Sequence, residues 1–276
     1  MSFISSFAHG PLPNGPAPAA YSRIIAMERM IAATAAAEER HFWFRGLRRN
    51  ARLALTRALA GRLPRLILDC GAGTGRNLEW LSSFGPAIGL ERSPLALDFA
   101  RARQRRVVAG SVTHLPFADG CADVVTSFDV FYCLDDLEER QAAREMHRVL
   151  RPGGIALMNV AALKWLRGSH SPLTQERRRY TKTELRELLE TTGFVVERIT
   201  YTNTATLPLV AAVRGAEQLT GRDATPSASY LTVPVAPVNV VLTAMLAAEH
   251  AWLRVGNLPI GSSVLAVARK PGPTWP

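Results

Sequence analysis

The chain has 276 residues, 47% hydrophobic and 20% charged, enough to bury a sizeable core and too apolar for a disordered polymer. Thirty-three Lys and Arg against 23 Asp and Glu leave a formal net charge of +10, which invites a nucleic-acid or acidic-membrane partner, although only Lys164, Lys182 and Lys270 are lysines. Cys70, Cys121 and Cys133 are too few for a disulfide framework and are spaced like no metal site, so a reducing, cytoplasmic setting without a metal is expected.

Residues 1–20 mix Pro, Gly, Ala and Ser, with neither the basic start nor the apolar run of a secretory signal, and read as a flexible tail. Residues 21–60 carry a helical apolar pattern, interrupted midway by the aromatic and basic cluster His41-Phe-Trp-Phe-Arg45. From there strands at 66–70, 87–91, 106–109, 123–128 and 155–160 alternate with helices at 75–84, 94–104 and 138–150. That alternation implies a Rossmann-like α/β fold, a doubly wound and mostly parallel sheet. A helix at 183–192 and strands at 194–201 and 262–269 complete seven strands. About 60 residues separate the last two strands, and an excursion of that length inside a compact domain is usually functional.

The segment Leu68-Asp-Cys-Gly71-Ala-Gly73-Thr-Gly75 places three glycines where a buried strand turns into a helix. Glycine permits the tight turn and lets a cofactor approach closer than a Cβ allows. The alternation is GxGxG, with Arg76 where a dinucleotide loop wants its third glycine, which favours a phosphate-poor cofactor. Glu91 ends the second strand, twenty residues beyond Gly71, where a carboxylate can accept both hydrogen bonds of a ribose diol.

Residues 66–203 resemble a class I S-adenosylmethionine-dependent methyltransferase of the broad group of ubiquinone and menaquinone methyltransferases. The resemblance is carried by LDCGAGTG (68–75), GLERSP (89–94), LPFADG (115–120), SFDVFYCLDD (127–136) and RVLRPGG (148–154). It implies S-adenosyl-L-methionine as cofactor, held by Gly71, Ala72, Gly73 and Gly75, with Asp69 orienting the loop and Glu91 and Arg92 on the ribose side. Ser127 and Phe128 would border the cofactor. Where the family commonly shows Gly-Asp after the third strand, this chain has Gly110-Ser111, so adenine recognition is expected from the Ser111 hydroxyl and the backbone of Val112. The family's common Asp-x-x-Glu-His is Asp129-Val-Phe-Tyr132-Cys133 here, without the histidine. In relatives with a similar aromatic-Arg segment before the first strand it resembles a lid, which would make residues 21–62 a helical lid, with Trp43 or Phe44 over the cofactor and Arg45 on a carboxylate; packing of the helix onto the sheet is the alternative.

Methyl transfer to a hydroxyl or carbon needs a base, and the candidates at the expected sheet edge are His170, with a solvent-facing loop residue as the competing reading, and after it Tyr132, Asp129 and Tyr180, for each of which packing or loop pinning is the competing reading. His114 reads as a cofactor wall. Arg177, Arg178 and Arg179 precede a helix start and are placed to hold an anion on the substrate. The core is expected at 63–203 and 262–270. Residues 204–261 form an insertion with two apolar segments too interrupted to span a membrane. It reads as a substrate cap, with a dimer contact or a peripheral membrane contact as alternatives. The acceptor is expected to be a small apolar or lipid-linked molecule methylated at oxygen. The alternatives are a nucleic-acid methyltransferase, against which no amino-methylation or cytosine-ring motif is present, and a non-catalytic cofactor-binding protein.

Overall fold

The computed structural model describes residues 19–166, 176–220 and 231–273, with side chains from Met27 onward apart from that of Glu217. Seven strands form one sheet in the order β3-β2-β1-β4-β5-β7-β6. They are β1 (Ile67–Cys70), β2 (Ala87–Glu91), β3 (Val107–Ala109), β4 (Ala122–Phe128), β5 (Leu150–Ala161), β6 (Val195–Thr202) and β7 (Ser263–Arg269). The first five run parallel, and β7 lies antiparallel to both β5 and β6. β1 and β4 are buried along their whole length, as expected of parallel strands covered on both faces. The strand order reverses between β1 and β4, the crevice where open sheets of this kind bind ligands.

The helices are α1 (Ala19–Ala37), α2 (Phe42–Leu59), α3 (Arg76–Leu81), α4 (Pro94–Ala102), α5 (Asp136–Val149), α6 (Lys182–Thr191), α7 (Leu207–Leu219) and α8 (Ala236–Leu253). Their starts follow local chemistry. Ser93 caps α4 ahead of Pro94, and Asp135 with Glu138, and Thr181 with Glu184, form reciprocal capping boxes on α5 and α6. One sheet face is covered by α2 and α3 through Leu47, Leu55 and Leu81, the other by α5 and α6 through Met146, Leu185 and Leu189.

The structure departs from the sequence pattern at the N-terminal helices and at β5. The aromatic cluster does not interrupt one long helix: the chain turns at residues 38–40, and the His41 ring accepts from the Trp43 amide as N-cap of α2. β5 begins at Leu150 rather than 155, because Leu150 pairs with Ala122 ahead of an irregularity in the β4 ladder. The two insertion helices pack back on the body, and α8 lies along α2. A Cβ on Gly46 would meet the Leu246 side-chain methyl at 2.6 Å, so a larger residue there would displace that side chain from between the two helices. Buried Glu249 of α8 accepts from the Asn203 and Ala205 amides at 2.6 and 3.0 Å, fixing the departure of the insertion from β6. No helix among the described residues is long and apolar enough to cross a membrane.

Candidate functional site

The β1–α3 loop hangs from β2, with the Gly71 and Ala72 amides donating to the Leu90 carbonyl at 2.8 and 2.9 Å. Gly71, Gly73 and Gly75 all have positive φ, but they do different work. A Cβ on Gly71 would strike Val130 at 2.2 Å, and one on Gly75 would press on Ala100 at 2.9 Å, so both permit packing. A Cβ on Gly73 would meet nothing within 4 Å and would project into open space beside the loop. Glu91 closes the other side. One carboxylate oxygen accepts from the Gly73 amide at 2.9 Å, the other from the Arg92 and Ser93 amides at 2.8 Å each, so the group is held in place before any ligand arrives.

These elements border a cavity of about 830 Å³. Its lining includes the loop and strand-end residues Gly71, Ala72, Gly73, Glu91, Arg92, Ser111 and Val112, together with Trp43, Phe128, Asp129 and Tyr132. Its apolar lining comes from Met27, Met30 and Ile31 of α1, Leu209, Val210 and Val213 of α7, and Val238 and Leu242 of α8. A pocket of several hundred Å³ with an apolar majority and a few converging polar groups has the form of a small-molecule site.

Asp129 lines the same cavity. It follows β4 with φ of +57°, a conformation costly for most side chains but tolerated by Asp, and its amide donates to the Asn159 carbonyl at 2.9 Å. Burial pushes its carboxyl up from the ordinary 3.8 to about 7, against the opposing effects of the Asn159 amide, which donates to it at 3.0 Å, and the Arg179 charge. The carboxyl is therefore poised to exchange a proton near neutrality, as a general base requires.

Other expected residues lie elsewhere. Asp69 is buried within β1, where the Thr126 hydroxyl of β4 donates to it at 2.6 Å; burial first, and then Glu91, raise it to about 7, and it does not line the cavity. Ser127 is also buried, donating to the Cys70 carbonyl at 3.1 Å, so it stitches β4 to β1 instead of touching a ligand. Gly75 lies outside the lining for the packing reason given above. Arg45 is exposed on α2 and does not reach the cavity; Arg48, one turn on, does. The Ser111 hydroxyl is engaged by Thr113, at 2.8 Å to its hydroxyl and 3.3 Å to its amide, and Thr113 rather than His114 continues the wall. Tyr180 is buried, its hydroxyl donating to Glu139 at 2.5 Å, and burial raises it far above the usual phenol range, which removes it as a base. His170 lies outside the described residues.

The three consecutive arginines are taken up by the chain's own acids. Arg177 faces Asp135 at 3.5 Å, Arg178 pairs with Asp136 and Glu139, and buried Arg179 pairs with Glu176 at 2.7 Å. A further network was not legible in the sequence. Buried Glu38, in the turn between α1 and α2, accepts from the Thr74 hydroxyl at 2.7 and 2.8 Å and from Arg103 at 2.6 Å, and Arg103 also donates to the Thr74 carbonyl. It fastens the N-terminal helices to the glycine loop. No local signal could have found it, because its partners lie 36 and 65 residues away. Among the described residues no cluster of three or more His, Cys, Asp or Glu is placed to hold a metal ion.

Comparison with known proteins agrees with this geometry. Residues 68–158 match the Methyltransf_11 family, described as a methyltransferase domain. A protein of Mycolicibacterium smegmatis assigned to the S-adenosylmethionine-dependent methyltransferases is 34% identical over 165 residues, 58% of this chain and 62% of the relative. A malonyl–acyl-carrier-protein O-methyltransferase of Coxiella burnetii is 34% identical over 39% of this chain and 38% of its own length. A demethylmenaquinone methyltransferase of Mycolicibacterium paratuberculosis is 39% identical over 36% of this chain and 43% of its own. The chain thus spans about three fifths of the first relative and about two fifths of the other two. Among solved structures, an S-adenosylmethionine-dependent methyltransferase of Thermotoga maritima superposes with TM-score 0.53 at 19% identity, covering 90% of this chain and 99% of that one. Phosphoethanolamine N-methyltransferase 2 of Haemonchus contortus, in complex with S-adenosyl-L-methionine, gives 0.52 at 17% identity, covering 81% and 53%. Both share the fold of the present chain. Fold, glycine loop and family match converge: residues 68–158 match a methyltransferase domain, and the sheet that carries them has the fold of the two solved methyltransferase structures.

Proposed function

We propose that the protein transfers a methyl group from S-adenosyl-L-methionine to an oxygen of a small apolar or lipid-linked acceptor. The observation that carries this reading is one cavity whose lining joins Gly73 and Glu91, Asp129, and apolar residues of α1, α7 and α8. The residues around Gly73 fit the cofactor: the open space beside Gly73 is a cradle that a side chain would fill, and the Glu91 carboxylate, with three of its lone pairs taken by backbone amides, keeps one on Oε2 for a ribose hydroxyl. The bound cofactor supplies an electrophilic methyl on a sulfonium, together with its leaving group. The protein's own contribution is mainly alignment of the acceptor, worth on the order of 7–11 kcal/mol when reacting atoms are held in line. α7 and α8 serve as the substrate cap and exclude water, Trp43 offers an aromatic face toward positive charge, and Asp129 takes the proton of a hydroxyl acceptor.

Oxygen as the methylated atom is supported by the Asp129 carboxyl and by the name of the Coxiella burnetii relative. The name of the mycobacterial quinone-pathway relative is what supports a place in the ubiquinone and menaquinone group. A nucleic-acid acceptor fits less well, because the cavity has an apolar lining from α1, α7 and α8 and many arginines are neutralised within the chain. The test is calorimetric titration with S-adenosyl-L-methionine, followed by transfer of labelled methyl to long-chain alcohols, phenols, carboxylic acids and RNA. Binding with transfer to an apolar oxygen acceptor is expected. Label appearing only in RNA, or cofactor binding without transfer to anything in the panel, would overturn the reading.

A further inference from the structure

We infer that the outer face of α8, with the arginines gathered at its C-terminal end, is a docking surface for an anionic lipid bilayer. Apolar residues recur along the exposed side of this helix at Val241, Ala244, Met245, Ala248 and Trp252, and continue to Val255 just beyond it. Val241 is 58% exposed, Trp252 57% and Val255 84%. Contiguous exposed apolar residues on this scale mark an interaction site. The only carboxylate in the helix, Glu249, points inward to the Asn203 and Ala205 amides, so no acid lies on the outer face.

Charge at the end of the helix selects the occupant. Arg57 and Arg198 both donate to the Leu253 carbonyl, at 3.3 and 2.7 Å. Arg49 and Arg254 flank His250, whose imidazole is lowered below its ordinary range by burial and then by these two cations. Among the described residues no carboxylate pairs with any of the four arginines. The helix C-terminus accounts for two of them, which cap its carbonyls, but Arg49 and Arg254 keep their charge for an external anion. An apolar stripe with an aromatic and unpaired arginines at one end has the composition of a helix lying in the headgroup–acyl boundary of an anionic membrane. Val238, Leu209 and Val213 are both exposed and part of the cavity wall, so the stripe runs into the mouth of the cavity. On the proposed function above, a lipid-dissolved acceptor would enter without crossing water; the docking itself does not depend on that function.

The experiment is co-sedimentation of the full chain with vesicles of neutral phosphatidylcholine, or of phosphatidylcholine with phosphatidylglycerol, alongside analytical ultracentrifugation without lipid. Binding to the anionic vesicles, weakened by salt, is expected. Arg49→Glu and Arg254→Glu should each lower the partition coefficient by about fivefold or more, and Val241→Ser with Trp252→Ser should abolish binding. S-adenosyl-L-methionine binding, measured on the same variants by calorimetry, should not change, which separates loss of docking from loss of the fold or of the methyltransferase reading. Equal binding to both vesicle types, no binding, or a dimer in solution that Trp252→Arg dissociates while vesicle binding persists would each overturn the proposal.

Discussion

Replacing Asp129 by Asn tests the chemistry most directly. The substitution keeps an oxygen to accept from Asn159 and a residue type that tolerates the positive φ, so it removes the ionisable group with little structural cost. In the native chain burial lifts the carboxyl from 3.8 to about 7. Across that window the folded chain retains a proton that the unfolded chain has released, so stability falls as pH rises. The loss is about 1.4 kcal/mol per unit and about 4 kcal/mol by pH 7. Asp129→Asn should therefore match the wild type in thermal unfolding near pH 4 and exceed it at pH 8. Activity should move the other way. If the carboxylate accepts the acceptor's proton, kcat/KM rises with pH to a plateau above about 7, and Asp129→Asn loses roughly 10²–10⁴-fold together with that inflection. Asp69 shares the raised value but lies outside the cavity, so Asp69→Asn should alter the pH dependence of stability and leave the rate profile intact. A wild-type rate and pH profile in Asp129→Asn would refute the assignment.

Three further substitutions probe cofactor binding. Glu91→Ala removes the acceptor of three backbone amides and the carboxylate facing the cradle, and should weaken S-adenosyl-L-methionine binding by about 1–3 kcal/mol in calorimetry; unchanged affinity would remove Glu91 from the site. Gly73→Ala places a methyl in the open space beside the loop and forces alanine into positive φ, at about 1–2 kcal/mol in denaturant unfolding. Its loss of cofactor affinity should exceed that stability cost, and retained affinity would show that the cradle is not used. Glu38→Gln breaks the charged link to Arg103 and should cost about 2–3 kcal/mol of stability while loosening cofactor binding, because the fastening includes Thr74 of the glycine loop. A stable variant with normal affinity would mean the N-terminal helices are held in some other way.

The opening charge excess resolves unevenly. Arg103, Arg148, Arg178 and Arg179 satisfy carboxylates within the fold, and Arg148 also ties the Leu115 and Phe117 carbonyls to α5. Other arginines form no ion pair among the described residues: Arg49 and Arg254 stand beside the end of α8, while Arg140 and Arg144 lie exposed on α5 and Arg92 and Arg106 near β2 and β3.

The sequence by itself determined the alternation of strands and helices, the glycine loop and the acid at the end of β2, because each is local: a turn or a strand end is specified within a few residues. The parallel order of the sheet follows from that alternation, and the length of the insertion announced an addition to the core. Only the tertiary structure decided which members of those motifs reach the cavity. Gly73 opens onto it whereas Gly75 packs against α4, and Arg48 reaches it whereas Arg45 does not, because helix direction and neighbouring side chains set where each points. The same holds for Asp129, whose proton affinity is a property of its burial, and for Glu38, whose partners come from two other segments. Desolvation and long-range pairing depend on what the folded chain brings near a group, and neither leaves a pattern in the residues beside it.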